Sequence, residues 1–512
     1  MIDFKSLIDT LLRRGREEED LGINTSSATL MLAELPRNES LQALSEIIQA
    51  IAELNRNGKV GLKERVRTVI LMDDKAQPIA QLLTAVYRGT EIIESLTPRH
   101  VLPVLQSFYQ ELGVAYKLCI KQHEIAPMPA FAPHVELASL RTAEYYARQG
   151  LWSFVRYFQA DRSIWRNLNR LYGNAESGGF QHKILQLHPS DARQDSLAGI
   201  YKRALLLRLA EPERRLPDHV WMLDRSLQTW SDLVSIDLQV RPRHHAFAVN
   251  IDSDQPAAQF RRNMVGPTYR YLDTSPLIAQ LGSVIQVLEN GQDSPDLGNV
   301  PDGEKSQVIA MLKDLMHIWS RDGGARTRLH ERTLTSRHTI AAYGLLNVSH
   351  LLGQTSINGA LRDGVEQGEW HVEDESTSGL GVSYRDRFDD RLCVGEIVAM
   401  RDTEHPRAAI GIVRRIVKSR DGKVRIGVEK LGAQTSLVAL LDGELTLPAL
   451  FSQEAPQANG ERCLILPVAH HAVGRAFILS AGSHRYQIVL GKTFQSLPGV
   501  VLSAFTVTGK QE

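Results

Sequence analysis

The stretch RAAIGIVRRIVKSRDGKVRIGVEKLG, residues 407–432, consists of two runs of alternating apolar and polar residues joined through Asp421-Gly422. Alternation with a period of two is typical of a strand with one buried face, and Asp-Gly is a strong signal for a tight turn. The stretch therefore predicts an antiparallel β-hairpin. Apolar residues of both arms would supply its buried face: Ile410, Ile412 and Ile416, then Val424, Ile426 and Val428.

The β character of this hairpin continues to the C-terminus. The runs RCLILPVA, RAFILSA, RYQIVLG and VVLSAFTVT follow it, with turn residues between them. Many short strands separated by turns are typical of small barrels and their extensions. We therefore predict a small antiparallel β-barrel over residues 321–445 and a C-terminal β extension over 446–512.

The N-terminal half has the spacing of helices. LPVLQSFYQELGVAYKLCI (102–120) repeats apolar residues three and four positions apart, as one buried helical face requires. The aromatic-rich stretch 140–172 suits the core of a bundle, and Pro212 and Pro217 would end or begin helices. This pattern predicts an all-helical domain over residues 1–235. A mixed connector of short strands and helices over 236–320 completes a multidomain α+β protein.

Composition limits the classes of function. The 512 residues are 43% apolar, and 59 basic residues balance 59 acidic ones, so the formal net charge is zero. Binders of nucleic acid polymers or acidic membranes usually carry an overall positive charge, so any anion site must be local. No run of about 18 apolar residues predicts a membrane span, and the first twenty residues lack the pattern of a secretory signal, so we expect a cytoplasmic protein.

Neither a metal centre nor a catalytic group emerges from the motifs. The three cysteines are far apart, and the pairs His244-His245 and His470-His471 would point to opposite faces of a strand. Gly-rich phosphate loops and Ser-His-Asp arrangements do not stand out. We therefore predict no enzyme activity, no cofactor and no metal.

A dense group of positive charges precedes the predicted barrel. RTRLHERTLTSRHT (326–339) contains four arginines, and Arg328 and Arg332 form an R-x-x-x-R. Downstream, WHVEDESTSGLGV contains Asp374-x-Ser376-x-x-Gly379 between predicted strands. Either motif alone is weak, because arginine loops are usually solvated and Asp, Ser and Gly are ordinary turn residues. The order of the two motifs and the hairpin that follows them are more specific than either motif alone.

This order resembles the PilZ family of bacterial receptors for cyclic di-GMP, over about residues 321–445. The resemblance implies a cyclic di-GMP site, with a binding role and no bond made or broken. It assigns ligand contacts to Arg328, Arg332, Asp374, Ser376 and Gly379, with Arg326 and Arg337 as helpers.

The chemistry of these residues fits such a ligand. A guanidinium group matches guanine O6 and N7 or two phosphate oxygens, and a carboxylate accepts hydrogen bonds from the guanine N1 and N2 edge. The flanking carboxylates of Glu373 and Glu375 would repel the phosphates. In a regular strand both would lie on the face opposite Asp374 and Ser376.

We therefore predict a cytoplasmic cyclic di-GMP effector that relays the signal to a protein partner through residues 1–235. An interaction scaffold whose barrel has lost the ligand is the alternative. A binder of RNA or single-stranded nucleic acid is a third reading, which the zero net charge disfavours.

Overall fold

The computed structural model describes residues 23–36, 38–191, 193–323, 331–353, 367–385, 392–402, 408–432 and 434–511. Within these residues the chain forms two compact units. The first comprises Met1–Trp152, Arg162–Lys202 and Ile251–Asp254, and the second comprises Ser153–Asp161, Arg203–Asn250 and Gln255–Glu512.

The first unit is helical, as the apolar spacing predicts. Its short strands β1 (Leu185–Gln186) and β2 (Gln194–Asp195) form a two-stranded antiparallel sheet. Its helices are α1 (Thr25–Glu34), α2 (Ser40–Arg56), α3 (Leu62–Tyr87), α4 (Pro98–Ile125), α5 (Ala132–Phe154), α6 (Arg162–Ser177) and the first part of α7 (Leu197–Leu209).

A buried polar network ties three of these helices together. The carboxylate of Asp73 on α3 accepts hydrogen bonds from the Tyr116 hydroxyl of α4 at 2.6 Å and from Arg141 of α5 at 3.0 Å. Gln77 and Tyr145 donate to the other carboxylate oxygen. Buried polar groups are tolerated only when they are hydrogen-bonded, and here the partners meet that requirement.

The aromatic stretch 140–172 is divided between two helices. Helix α5 ends at Phe154 and α6 begins at Arg162. Between them Tyr157 adopts a φ of 64°, in the left-handed region that interrupts a right-handed helix. Tyr157 packs inside the second unit, where its hydroxyl accepts a hydrogen bond from the Val394 amide at 3.1 Å.

The connecting part of the second unit is mixed, with a four-stranded sheet in the order β3-β6-β4-β5. Helix α8 begins at Pro217. Proline is tolerated there because the N–H group that it lacks has no intrahelical partner in the first turn. The elements of this connecting part are α8 (Pro217–Trp230), β3 (Ser235–Asp237), β4 (Phe247–Asn250), β5 (Ala258–Gln259), β6 (Tyr269–Asp273), α9 (Ser275–Glu289) and α10 (Asp302–Trp319).

A closed antiparallel barrel follows, as predicted, with the strand order β10-β11-β12-β9-β8-β7. Helix α11 (Leu345–Gly353) lies between its first two strands in the sequence. The strands are β7 (Thr333–Tyr343), β8 (Gln367–Glu375), β9 (Gly379–Arg385), β10 (Ile397–Arg401), β11 (Ala409–Lys418) and β12 (Lys423–Lys430).

The hairpin of β11 and β12 forms as its sequence predicts, and Gly422 adopts a φ of 83° in the turn. The predicted buried face of β11 is wrong in part. Ile416 lies in the barrel interior with the β12 valines, but Ile410 and Ile412 belong to a different apolar cluster, shared with the C-terminal strands. A β-bulge between Val413 and Arg415 causes this change, because one extra residue reverses the alternation of side chains.

The C-terminal β extension is itself a closed six-stranded barrel, in the order β13-β14-β15-β18-β17-β16. Strand β13 pairs with β14 and β16, so it belongs to this second barrel although it precedes the predicted boundary at residue 446. The strands are β13 (Thr435–Asp442), β14 (Leu445–Ser452), β15 (Cys463–Pro467), β16 (Ala476–Ala481), β17 (His484–Leu497) and β18 (Val500–Gln511).

In the parts of the chain that the structure describes, every helix is too short or too polar to cross a bilayer. The three cysteines are free thiols, and those of Cys119 and Cys463 are buried.

Candidate functional site

A cleft of about 1430 Å³ lies on the outer wall of the first barrel, and all of its lining residues belong to the second unit. The barrel wall contributes strands β8, β9, β11 and β12. The opposite walls come from residues 214–219 and from the end of β17. Helix α10 presents one face, because its lining residues are spaced three and four apart: Gly303, Ser306, Gln307, Ala310, Met311 and Asp314.

Arg332 and Asp374, predicted to share a site, are in contact on the wall of this cleft. The Nη1 group of Arg332 donates a hydrogen bond to Oδ1 of Asp374, across 42 positions of the sequence. Both side chains are about one-third exposed, at 31% and 28%. The pair is therefore accessible to a ligand that enters the cleft.

The position of Asp374 depends on a glycine of the neighbouring strand. Asp374 lies opposite Gly381 in the pairing of β8 with β9. A Cβ atom at position 381 would lie 2.5 Å from Oδ1 of Asp374, closer than real Cβ atoms approach any atom. The carboxylate can therefore lie against the sheet only because residue 381 is glycine.

Ser376 and Gly379 also line the cleft, where they form a turn between β8 and β9. The amide of Ser376 donates to the carbonyl of Gly379 at 2.8 Å, and the amide of Gly379 donates to Oγ of Ser376 at 3.1 Å. A Cβ atom at Gly379 would lie 2.9 Å from the Val428 carbonyl. Gly379 does not adopt a positive φ. The close packing of the backbone explains why this residue is glycine.

Arg337 does not line the cleft. Its guanidinium group pairs with Glu375 at 2.5 Å and with Asp402 at 3.3 Å. Lys430 donates to the second oxygen of Glu375 at 2.6 Å. Burial acts to raise the pKa of Glu375, but hydrogen bonds from Lys430 and Arg337 outweigh it and hold the pKa below its usual range. The predicted ligand residues Arg326 and Arg328 lie outside the described residues.

Glu373 lies in the cleft, contrary to the expectation from regular alternation. A register shift between Val372 and Asp374 inserts Glu373 as an extra residue, so Glu373 and Asp374 both reach the outer wall. Its negative charge is balanced locally. Lys423 pairs with it at 2.6 Å and Ser383 donates a hydrogen bond at 2.9 Å. The hydrogen bond from Lys423 is the main cause of its lowered pKa.

Most of the positive charge in the cleft comes from arginines that the sequence motifs do not contain. Six arginines line it, against four carboxylates: Arg214, Arg215, Arg332, Arg414, Arg415 and Arg425, with Asp314, Glu373, Asp374 and Glu429. The doublet in GIVRRIVK was a usable signal. Strict alternation would turn one arginine into the barrel interior, where an unpaired charge is prohibitively costly, so the doublet itself indicates a bulge.

The wall opposite the barrel contains a histidine that resists protonation. Burial, together with the neighbouring Arg215, lowers the pKa of His219 to about 4. Arg215 pairs with Asp314 of α10 at 2.6 Å. His219 is therefore a neutral hydrogen-bonding group at physiological pH.

Outside the cleft, Asp73, Asp74 and His188 have the spacing of metal ligands. The Arg141 guanidinium lies among them, 3.0 Å from Asp73 and 2.9 Å from Asp74. A fixed positive charge in this position opposes a second cation, so the group is better explained as an ion-pair network.

Comparison with protein families places a match in the N-terminal half of the chain. Residues 26–242 match the family model described as "Cyclic-di-GMP receptor FimW, N-terminal domain". No curated protein matches the chain. The matched residues lie in the helical part and the start of the connector, outside residues 321–445, over which the sequence motifs resemble a receptor for the same dinucleotide.

Proposed function

We propose that this chain is a cyclic di-GMP effector whose first barrel is PilZ-like and holds the dinucleotide in the arginine-lined cleft. The observation that carries the proposal is the contact of Arg332 with Asp374 on the cleft wall, beside the Ser376–Gly379 turn. The family match over residues 26–242 supports it independently, because that family is named for a receptor of the same ligand.

The chemistry of the pair suits one half of the ligand. The Arg332 guanidinium can donate to phosphate oxygens, or to guanine O6 and N7. The Asp374 carboxylate can accept from guanine N1–H and N2–H, groups that adenine lacks in this arrangement. Small-molecule pockets have volumes of roughly 300–1,000 Å³, so a cleft of about 1430 Å³ has room for a cyclic dinucleotide.

Ligand binding would exchange one set of charge-assisted hydrogen bonds for another. Arg332 and Asp374 are paired with each other in the structure. A bound nucleotide would present phosphate to the arginine and a guanine edge to the aspartate, so neither group would lose a partner. This exchange keeps the cost of opening the pair low, because a surface pair of this kind contributes only about 0–1 kcal/mol.

The role we propose is receptor and relay, without catalysis. The protein would act in the cytoplasm, and the helical residues 1–235 would contact a protein partner. Affinity capture from a bacterial lysate, with and without cyclic di-GMP, tests the relay. We expect the full chain to retain at least one partner in a ligand-dependent manner through residues 1–235, and an identical set of proteins in both samples would contradict the relay.

Isothermal titration of the full chain tests ligand binding. We expect heat of binding with cyclic di-GMP, and at least tenfold weaker binding of cyclic di-AMP, because adenine cannot donate N1–H and N2–H to Asp374. GMP should bind more weakly than the dinucleotide, since it offers only one half of the ligand. Equal affinity for the two dinucleotides would contradict the assigned role of Asp374.

The ligand-free scaffold remains a second candidate, and one observation favours it. Glu373 adds a carboxylate to the same wall as Asp374. A scaffold of this kind would show no shift in thermal unfolding with cyclic di-GMP, yet would still retain a partner through its helices.

A further inference from the structure

A continuous row of paired residues crosses the outer wall of the first barrel within the cleft. Arg415 of β11 lies opposite Gly427 of β12, Gly427 lies opposite Gly381 of β9, and Gly381 lies opposite Asp374 of β8. Neighbouring strands are about 4.8 Å apart, so Arg415 and Asp374 are separated by roughly 14 Å along the curved wall of the barrel. The row thus has an arginine at one end, a carboxylate at the other end and two glycines between them.

Both ends of the row are set by β-bulges. The bulge between Val413 and Arg415 brings Arg415 to the outer wall, and the shift between Val372 and Asp374 does the same for Asp374. Bulges next to binding sites commonly redirect side chains in this way. The middle of the row is open, because a Cβ atom at Gly427 would meet only the Cβ of Arg415, at 3.5 Å.

A second arginine reinforces the positive end. Arg425 precedes Gly427 by two positions on β12, so both residues lie on the outer face of the barrel. Arg415 is 50% exposed and lies 3.7 Å from Glu213, while Arg425 is 62% exposed and lies 3.7 Å from Glu373. Both separations exceed the range of a hydrogen bond, so these two guanidinium groups keep most of their donors for a ligand.

The symmetry of the proposed ligand calls for a second contact point. Cyclic di-GMP consists of two identical halves, each with one guanine and one phosphodiester. Contacts at Arg332 and Asp374 alone would engage one half and leave the second phosphate and guanine in solvent. The row supplies a second cationic position three strand spacings from Asp374, and the wall beside Arg415 is open at Gly427.

We propose that Arg415 and Arg425 form a second contact point for the same dinucleotide, which binds its distal phosphate and guanine while Gly427 forms the floor beneath the sugar-phosphate ring. This inference rests on the proposed function. It adds three residues outside the R-x-x-x-R and D-x-S-x-x-G motifs: Arg415, Arg425 and Gly427.

Titration of the full chain with cyclic di-GMP tests this inference. Arg415→Ala and Arg425→Ala should each weaken binding at least fivefold, since each would remove a guanidinium contact to the ligand. Arg420→Ala is the matched control on the same hairpin. Arg420 is 78% exposed, pairs with Asp161 at 2.8 Å and does not line the cleft, so this variant should bind like the wild type.

A steric variant tests the glycine floor without removing a charge. Gly427→Val should weaken binding at least tenfold, because its side chain would stand in the space assigned to the ligand. Valine favours strands, and the site is open, so the thermal midpoint should not fall. Gly368→Val on β8 is its control, because residue 368 is exposed and lies outside the cleft.

The outcomes separate this inference from the proposed function. If the wild type binds, and Arg332→Ala and Asp374→Ala lose affinity while the Arg415, Arg425 and Gly427 variants match their controls, the second contact point is wrong and the proposed function stands. If the folded wild type shows no binding of cyclic di-GMP, the proposed function fails and this inference fails with it.

Discussion

The carboxylate of Asp374 lies directly over the α-carbon of Gly381, with Oδ1 only 2.5 Å from the place that a Cβ atom would take. The two residues are paired across β8 and β9, and the same carboxylate accepts the hydrogen bond of Arg332. Gly381 therefore determines where the acidic group of the proposed site can lie, although it belongs to neither sequence motif.

Substitution of Gly381 by alanine should weaken cyclic di-GMP binding at least fivefold. The added methyl group would push the Asp374 carboxylate off the sheet and away from Arg332. Titration calorimetry measures the effect, and Gly368→Ala, whose methyl group would make only an ordinary contact at 3.5 Å, is the control. An unchanged affinity in a folded Gly381→Ala protein would show that the position of Asp374 is not important for binding.

Removal of the Arg332 guanidinium should weaken cyclic di-GMP binding by about 1–3 kcal/mol, or roughly five- to more than a hundredfold, as expected for one bidentate contact. Arg337→Ala provides a comparison, because Arg337 is also ion-paired but lies outside the cleft. We expect less than a twofold change in that variant. Equal losses in the two variants would indicate a general effect of positive charge.

Protonation of His219 should lower stability in mild acid. Its pKa is about 4 in the folded protein, against an ordinary value of 6.5, because burial and Arg215 disfavour the charged ring. The unfolded chain therefore binds the proton first as the pH falls, and stability is lost below about pH 6.5 until the folded form is protonated near pH 4.

From pH 7 to pH 5 this single group should lower the free energy of unfolding by about 2 kcal/mol. Urea denaturation at both pH values measures the change. The His219→Gln variant, which cannot be protonated, should lose about 2 kcal/mol less than the wild type over the same interval. Parallel losses in the two proteins would contradict the lowered pKa.

The buried network around Asp73 should be essential for the stability of the helical unit. Asp73→Ala would leave the Arg141 guanidinium, which is 2% exposed, without its buried partner. Removal of one member of a buried ion pair typically costs about 3–5 kcal/mol. Urea denaturation followed by circular dichroism tests this expectation.

Asp74→Ala is the matched control for this network, because Asp74 also pairs with Arg141 but is 25% exposed. Its loss should cost clearly less than that of Asp73. A smaller effect for Asp73→Ala than for Asp74→Ala would mean that Arg141 finds another partner.

Local patterns in the sequence were sufficient for much of the fold. The helices of the first unit follow from apolar residues three and four apart, and the β11–β12 hairpin follows from alternation around Asp421-Gly422. The meeting of Arg332 with Asp374 was predicted from the order of two motifs. Each of these features depends on neighbouring residues or on an ordered pair of short motifs.

Tertiary structure alone decided the features that depend on strand pairing. The bulge of β8 arises where this strand matches the register of β9, and it brings Glu373 into the cleft beside Asp374. Closure of the second barrel joins β13 to β16, and the fold brings His219 to the opposite wall of the cleft. Short-range preferences determine whether a segment becomes a helix or a strand. Strand register, barrel closure and the meeting of these residues at one cleft instead result from contacts between residues distant in sequence. Short sequence patterns do not specify those contacts.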